Sequence, residues 1–285
     1  MSYNNRHMCE FCHQHGEGKT WYLQAKNYAE DLLSDIRRRK LMKRYLKSGR
    51  ALKASVDKLG RIPGFVRRAI RPAVVRKMKP HHYGQVVPIE ELDRIFGFVN
   101  SIVRIACLCR RATVGSDQRY CYAVSLGPGG GEIAKIIEET DPSYFGGPDI
   151  RGMELLSKDE ALHAHRGHER EGLCHTVWTF QAPFIGGICN CEESSCLAMT
   201  STVTHKVPLF FKAEFIARTD LDLCNGCAKC VKICPFSALE YDKRNHKAVI
   251  LNRRCYGCGI CRSACERDAI LLVSRSEVPS ARRLW

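Results

Sequence analysis

No run of about 18 uncharged apolar residues occurs in this 285-residue chain, so a membrane-spanning helix is not expected. The first twenty residues also lack the apolar core of an export signal, which points to a reducing, cytoplasmic setting with at most peripheral membrane contact. Acidic residues are scarce in one region. Between Ser34 and Lys79 only Asp35 and Asp57 stand against seventeen Lys and Arg, a local excess of fifteen that equals the whole chain's formal +15. The glycine run Gly127-Pro128-Gly129-Gly130-Gly131 lacks the Lys-Ser/Thr of a phosphate-binding loop and the G-x-G-x-x-G of a dinucleotide fold. Before a helix it could offer amides to a phosphate, but an ordinary flexible turn is the expected reading. No general base and nucleophile stand out as a pair, so substrate chemistry is expected elsewhere.

What the chain has is 45% apolar residues, enough for a core, and seventeen cysteines. Without an export signal those thiols are expected to be reduced and available as ligands. Alternating strand and helix patterns predict an α+β architecture, with the larger amino-terminal part preceded by basic helices. Five segments follow: a Cys/His segment at 1–19, a basic helical region at 20–87, an α+β domain at 88–212, a cysteine-repeat domain at 213–275 and a tail at 276–285. Trp21, Ala25, Tyr28, Leu32 and Ile36 recur every three or four residues and predict one amphipathic helix from Thr20 to about Lys47. Pro63 and Pro72 predict that Ile62 to Met78 is at best broken helix. Pro88 marks a helix start, followed by a strand near Ile102 to Ile105. Tyr120 to Leu126 reads as a strand and Glu132 to Glu139 as a helix. Ser157 with Glu160 forms a capping box for a helix ending near Gly172. On that helix His163, His165 and His168, near Glu169, are expected on a solvated face, although two of them could chelate a metal. Val177 to Ile185 has strand composition and leads through Gly186-Gly187 into Cys189-Asn190-Cys191.

The segment Leu223 to Val273 contains an internal repeat. Cys224, Cys227, Cys230 and Cys234 recur as Cys255, Cys258, Cys261 and Cys265, and Ala238-Leu239 recurs as Ala269-Ile270. Each run reads C-x2-C-x2-C-x3-C. Two-residue gaps let a loop wrap three irons of a cubane with its amides aimed at the sulfides, and the fourth thiolate must come from outside the tight loop. This segment, about Ala213 to Ser274, resembles the bacterial-type two-cluster 4Fe-4S ferredoxins, in which the fourth Cys of each run ligates the other cluster. The resemblance implies that Cys224, Cys227, Cys230 and Cys265 hold one 4Fe-4S cluster, and Cys255, Cys258, Cys261 and Cys234 the second. The first run ends Cys234-Pro235 as the family does; the second ends Cys265-Glu266, which loosens that corner or adds negative charge. Leu239 to Tyr241 and Ala248 to Leu251 flank a polar turn and predict a hairpin. Structural zinc is the alternative for paired C-x2-C elements, but two identical four-Cys runs exceed its need.

Further cysteines fall in tight groups: Cys107-Leu108-Cys109, and Cys189-Asn190-Cys191 with Cys196. These C-x-C pairs predict a third metal centre, which a third 4Fe-4S cluster would suit, and Cys121 could supply or replace a ligand. Burial as small hydrophobes is the plain alternative, yet Asn190, Glu192, Glu193, Ser194 and Ser195 are polar. Cys9-Glu10-Phe11-Cys12-His13 matches a haem c attachment string; haem is disfavoured without export, and zinc or another cluster using Cys9, Cys12, His13 or His15 is the better metal reading. Cys174-His175 is too isolated to assign.

The expected function is an electron-transfer subunit of an oxidoreductase complex, relaying single electrons between redox partner proteins. The basic residues 34–79 suit an acidic partner surface or an anionic membrane surface. Alternatives are an iron-sulfur sensor that binds nucleic acid through the basic stretch, which has no recognised DNA-binding motif, and a self-contained iron-sulfur reductase.

Overall fold

The computed structural model describes residues 20–284, so Cys9, Cys12, His13 and His15 lie outside the described residues. A seven-stranded sheet organises most of the chain in the order β4-β2-β3-β6-β5-β1-β7. Its strands are β1 (Gly84–Val86), β2 (Ser101–Ile105), β3 (Cys121–Ser125), β4 (Glu154–Leu156), β5 (Cys174–Thr179), β6 (Ile185–Cys191) and β7 (Phe210–Phe211). Among the described residues only β1 and β7 pair in parallel.

Register decides what each face carries, because directly opposed residues of an antiparallel pair point the same way and neighbours along a strand alternate. Cys121 opposes Cys189, and Cys174 opposes Cys191, so these four thiols share one face. Tyr122, His175, Val177 and Ile188 point to the other face. There they meet helices Ile89–Phe96 and Lys158–Arg170, with Leu92, Ile95 and Ala161 fully buried. Each such Leu or Ile contributes roughly 1.5–3 kcal/mol. Trp21, Tyr22 and Tyr28 join this same core, and Trp21 Nε1 donates to Gln85 Oε1 at 2.8 Å.

Three expectations are corrected. The stretch after Thr20 is not one helix: 3₁₀ turns at Trp21–Leu23, Ala25–Tyr28 and Glu30–Ser34 precede helix Ile36–Lys47. Packing of Trp21, Tyr28 and Leu33 into two separate cores sets that path, and Ile36 is left exposed. Gly64–Met78 is one continuous helix with Pro63 as its N-cap and Pro72 inside it, where the proline removes one helical donor without ending the helix. The expected strand 177–185 is split: residues 177–179 end β5, Ile185 begins β6, and residues 180–184 form the turn between them. Gln181 takes a left-handed φ of 54°, Phe180 N donates to Phe184 O at 2.8 Å, and Pro183 brings no donor to a ladder. The glycines 186 and 187 and Cys189 to Cys191 therefore lie within β6.

The capping box of Ser157 and Glu160 forms, with both reciprocal bonds present. The glycine loop before helix Gly131–Thr140 does hold an anion, and it is the chain's own. Glu30 Oε1 accepts from Glu132 N at 2.8 Å and from Ser125 Oγ at 2.8 Å, placing a carboxylate at the helix N-terminus. A Cβ at Gly131 would collide with that carboxylate, and its φ of +59° is strained for any other residue. Gly129 has a similar φ of +61° and open space around it. Gly131→Ala is therefore expected to cost more stability than Gly129→Ala, by about 1–3 kcal/mol. Equal shifts in unfolding temperature would contradict this account of the loop.

The carboxyl-terminal part pairs β8 (Phe215–Thr219) with β11 (Ile270–Ser274) and forms the expected hairpin from β9 (Leu239–Asp242) and β10 (Lys247–Ile250). The sequence repeat recurs in the backbone. Gly226 and Gly257 have φ of 75° and 73°, Ser237 and Asp268 of 48° and 50°, and short helices Lys229–Ile233 and Ile260–Ser263 follow left-handed Ala228 and Gly259.

Candidate functional site

Two cavities in the carboxyl-terminal part are each lined by four cysteines. One is bounded by Cys224, Cys227, Cys230 and Cys265, the other by Cys234, Cys255, Cys258 and Cys261. In each, three thiols come from one run and the fourth from the other. The fourth is turned inward by the same device twice: Ala238 N donates to Cys234 Sγ and Ala269 N to Cys265 Sγ, both at 3.3 Å. Gly226 and Gly257 let the two loops turn beneath backbone, because a Cβ there would strike His246 O or Phe215 O. Four thiols around an apolar, enclosed space suit a 4Fe-4S group by donor type and number. Burial pushes Cys230 and Cys234 up to about 11, so a metal bound at either would displace a proton.

The cavities differ in surroundings. Cys227 of the first is exposed, and the departure Glu266 is paired with Lys229 at 2.5 Å on the surface beside it. Cys255, Cys258 and Cys261 of the second are buried. Phe236 stacks on Tyr256 with ring centroids 4.1 Å apart, and Phe210 packs edge-on at 5.5 Å from Tyr256, sealing that side against the larger sheet. Arg275, fully buried, donates to Ala213 O and Phe215 O at 2.7 Å and to Cys255 O at 3.2 Å.

On the sulfur-bearing face of the sheet the structure brings together all six cysteines named for the amino-terminal part. Cys121 Sγ and Cys189 Sγ are 3.4 Å apart. Cys107 contacts Cys109 and Cys121, and Cys196 contacts Cys109 and Cys191; Cys189 and Cys191 share one face of β6. Cys107 and Cys196 each precede a helix, Leu108–Thr113 and Leu197–Met199. Their thiols fall well below the usual range, chiefly through the neighbouring thiols and then through the amides of Arg110 and Met199. The neighbouring sulfurs push Cys109, Cys121 and Cys191 well upward. Arg110, buried, is the cation beside this group, held by Glu192 at 2.7 Å and lying 3.8 Å over the Tyr120 ring. Among the described residues no group of three or more His, Cys, Asp or Glu side chains is placed to hold a single metal ion.

Cys174 links the two parts of the molecule. It opposes Cys191 across β5 and β6, and its thiol lies against that of Cys258, which it pushes well upward. Sequence spacing offers no signal for it; the sheet register does. Tyr45 of helix Ile36–Lys47 closes over the six thiols. Burial and then Cys109, Cys189 and Cys121 hold its hydroxyl protonated, and its ring sits 4.4 Å from that of His82.

The solvated histidine face is corrected: His165 and His168 are buried, and His163 alone of the three is exposed. His175 from β5 packs 5.2 Å from His165, centroid to centroid. Each ring is anchored by one nitrogen, on Ala161 O at 2.7 Å, the Tyr122 hydroxyl at 2.9 Å and Asn190 Oδ1 at 2.5 Å. Burial lowers His168 to about 3, and His82 and His175 to about 4. A histidine depressed in the fold contributes stability that is complete above its unfolded pKa near 6.5 and is lost as pH falls toward the folded value. Each of these three should remove roughly 1.4 kcal/mol per pH unit below about 6. Thermal unfolding at pH 7.5 and 5.5 checks this; His168→Asn should flatten the dependence, and an unchanged slope contradicts the assignment.

Residues 223–269 match the family model of the 4Fe-4S dicluster domain. A 57-residue stretch, 20% of this chain, is 33% identical to the archaeal-type glutamate synthase [NADPH] of Thermotoga sp. (strain RQ2) and equally to that of Thermotoga maritima. The match covers 11% of each of those proteins, so the chain spans about a tenth of the length of the curated relatives it matches. No helix among the described residues is long and apolar enough to cross a membrane. The carboxyl-terminal part of this chain is a ferredoxin-type 4Fe-4S domain.

Proposed function

We propose that this protein is an electron carrier that takes single electrons from one redox partner and passes them inward through its own metal centres. The observation that carries the reading is the pair of four-cysteine cavities with exchanged fourth thiols, one bordered by exposed Cys227 and the other buried against Cys174. Cys224, Cys227, Cys230 and Cys265 would hold one 4Fe-4S group, and Cys255, Cys258, Cys261 and Cys234 the other. Such groups accept and release one electron at a time. The six thiols around Cys107 and Cys196 would hold a third centre, and the contact of Cys174 with Cys258 continues the path toward it.

The partner would be acidic. Helices Gly49–Arg61 and Gly64–Met78 bury none of their residues. Arg39 and Lys43 of the preceding helix are engaged by Glu132 and Glu139, whereas the cations of the later two helices meet few acids, chiefly Asp57 with Lys53. A face of that charge draws a negatively charged protein and steers its approach. Glutamate synthase, the relative in which a similar 57-residue stretch sits inside a larger enzyme, favours membership in an oxidoreductase assembly.

Titration of the anaerobic chain with a viologen radical tests this. The expected result is uptake of at least two electrons per chain, with reoxidation by an acidic protein acceptor that slows steeply as salt rises. A chain that takes up no electrons overturns the reading. Salt-sensitive binding to DNA or RNA, without transfer to any protein acceptor, would favour a sensor instead.

A further inference from the structure

We propose that the six thiols of Cys107, Cys109, Cys121, Cys189, Cys191 and Cys196 all ligate one iron-sulfur centre, and that this centre contains more than four irons. The inference rests on the reading that these thiols bind an iron-sulfur group at all. Three chain segments deliver the sulfurs to one place: the start of helix Leu108–Thr113, the first residue of β3, and the end of β6 with the turn that follows. The contacts run Cys189, Cys121, Cys107, Cys109, Cys196 and Cys191. Cys121, Cys107, Cys109 and Cys196 each have two sulfur neighbours, and Cys189 and Cys191, two residues apart on one face of β6, have one each.

A cubane uses four thiolates, so a single one would leave two thiols touching its ligands. A thiol that coordinates a metal is deprotonated outright, and in this proposal the further pair joins the ligand set. Six clustered thiolates, four of them buried and two half-buried, need positive charge close by. Arg110 supplies one charge, already shared with Glu192 at 2.7 Å. Iron is the remaining source, and six thiolates call for more of it than four thiolates do. Cross-strand register supports the same conclusion: Cys121 is placed opposite Cys189 at 3.4 Å between sulfurs, as a position held for use and not a spare on the rim.

The test is iron and acid-labile sulfide per chain, with Mössbauer and EPR spectra, on anaerobically purified full-length protein and on six single Cys→Ser variants. The signals of the ferredoxin-type domain serve in each variant as the check on folding. The proposal expects clearly more than about twelve irons in the wild type, three four-iron groups being the count it must exceed. It also expects each of the six substitutions to alter the third centre's spectrum while the ferredoxin-type signals persist. About twelve irons, with two of the six substitutions silent, overturns the proposal and leaves a third four-iron centre standing. About eight irons, or a disulfide joining Cys121 and Cys189, overturns the third centre itself and leaves the ferredoxin-type reading untouched. Should the serine variants lose the ferredoxin-type signals as well, the wild-type count decides alone.

Discussion

Cys265→Ala should empty the cavity lined by Cys224, Cys227 and Cys230 and spare the one that contains its own run. The reason is the exchange of fourth thiols: Cys265 belongs in sequence to the second run and in space to the first cavity. Its sulfur is oriented by Ala269 N at 3.3 Å, and an alanine supplies neither the ligand nor the acceptor. Iron should fall by about four per chain, and the EPR features of the remaining centre should persist. Cys234→Ala should do the reverse, emptying the buried cavity. Losing the second cavity's iron on replacing Cys265 would mean each run serves itself, and the proposed ligand sets would be wrong.

Arg275→Ala carries the largest expected effect on stability among changes that touch no thiol. The guanidinium is wholly buried and joins three carbonyls, those of Ala213 and Phe215 on the way into β8 and that of Cys255 at the second cavity. Burial lowers its pKa to about 10, still charged at neutral pH. Hydrogen bonds from a charged donor are each worth about 1.5–3 kcal/mol, and truncation leaves buried acceptors without a partner. A loss of at least about 3 kcal/mol is expected. The readout is faster bleaching of the visible absorbance on warming, with the buried centre lost first. Arg275→Lys should recover part of the loss, since one ammonium reaches fewer of the three carbonyls in a fork geometry. A variant as durable as the wild type would show that the carboxyl-terminal turn is not what holds the Cys255 loop.

The ferredoxin-type domain was legible in advance because its chemistry is local: ligand spacing within a run is set by how tightly a loop must wrap a cubane, and Cys224 to Cys234 and Cys255 to Cys265 display it twice. Cys107, Cys109, Cys189, Cys191 and Cys196 are visible in the sequence as tight groups expected to converge, but which strands bring them together is not. That depends on β3 lying beside β6, a long-range pairing with no short-range sign, which is also why Cys121 looked marginal and Cys174 could not be placed. The histidines of Lys158–Arg170 were misjudged for a related reason. A helix pattern shows which residues share a face, whereas the sheet behind decides which face is buried, and His165 and His168 face Tyr122 and His175. Around Trp21 and Tyr28 the apolar spacing was read correctly as burial and wrongly as α-helix, since three short 3₁₀ turns deliver the same side chains.

The carboxyl-terminal thiols are expected to hold a pair of polynuclear iron-sulfur groups. Chemical analysis of iron, zinc and acid-labile sulfide in protein purified without oxygen, with EPR after reduction, examines it most directly. At least about eight irons and eight sulfides per chain, with reduced-state signals broadened by interaction between neighbouring centres, is the predicted result. Sulfide-free protein, or zinc in place of iron, would contradict it.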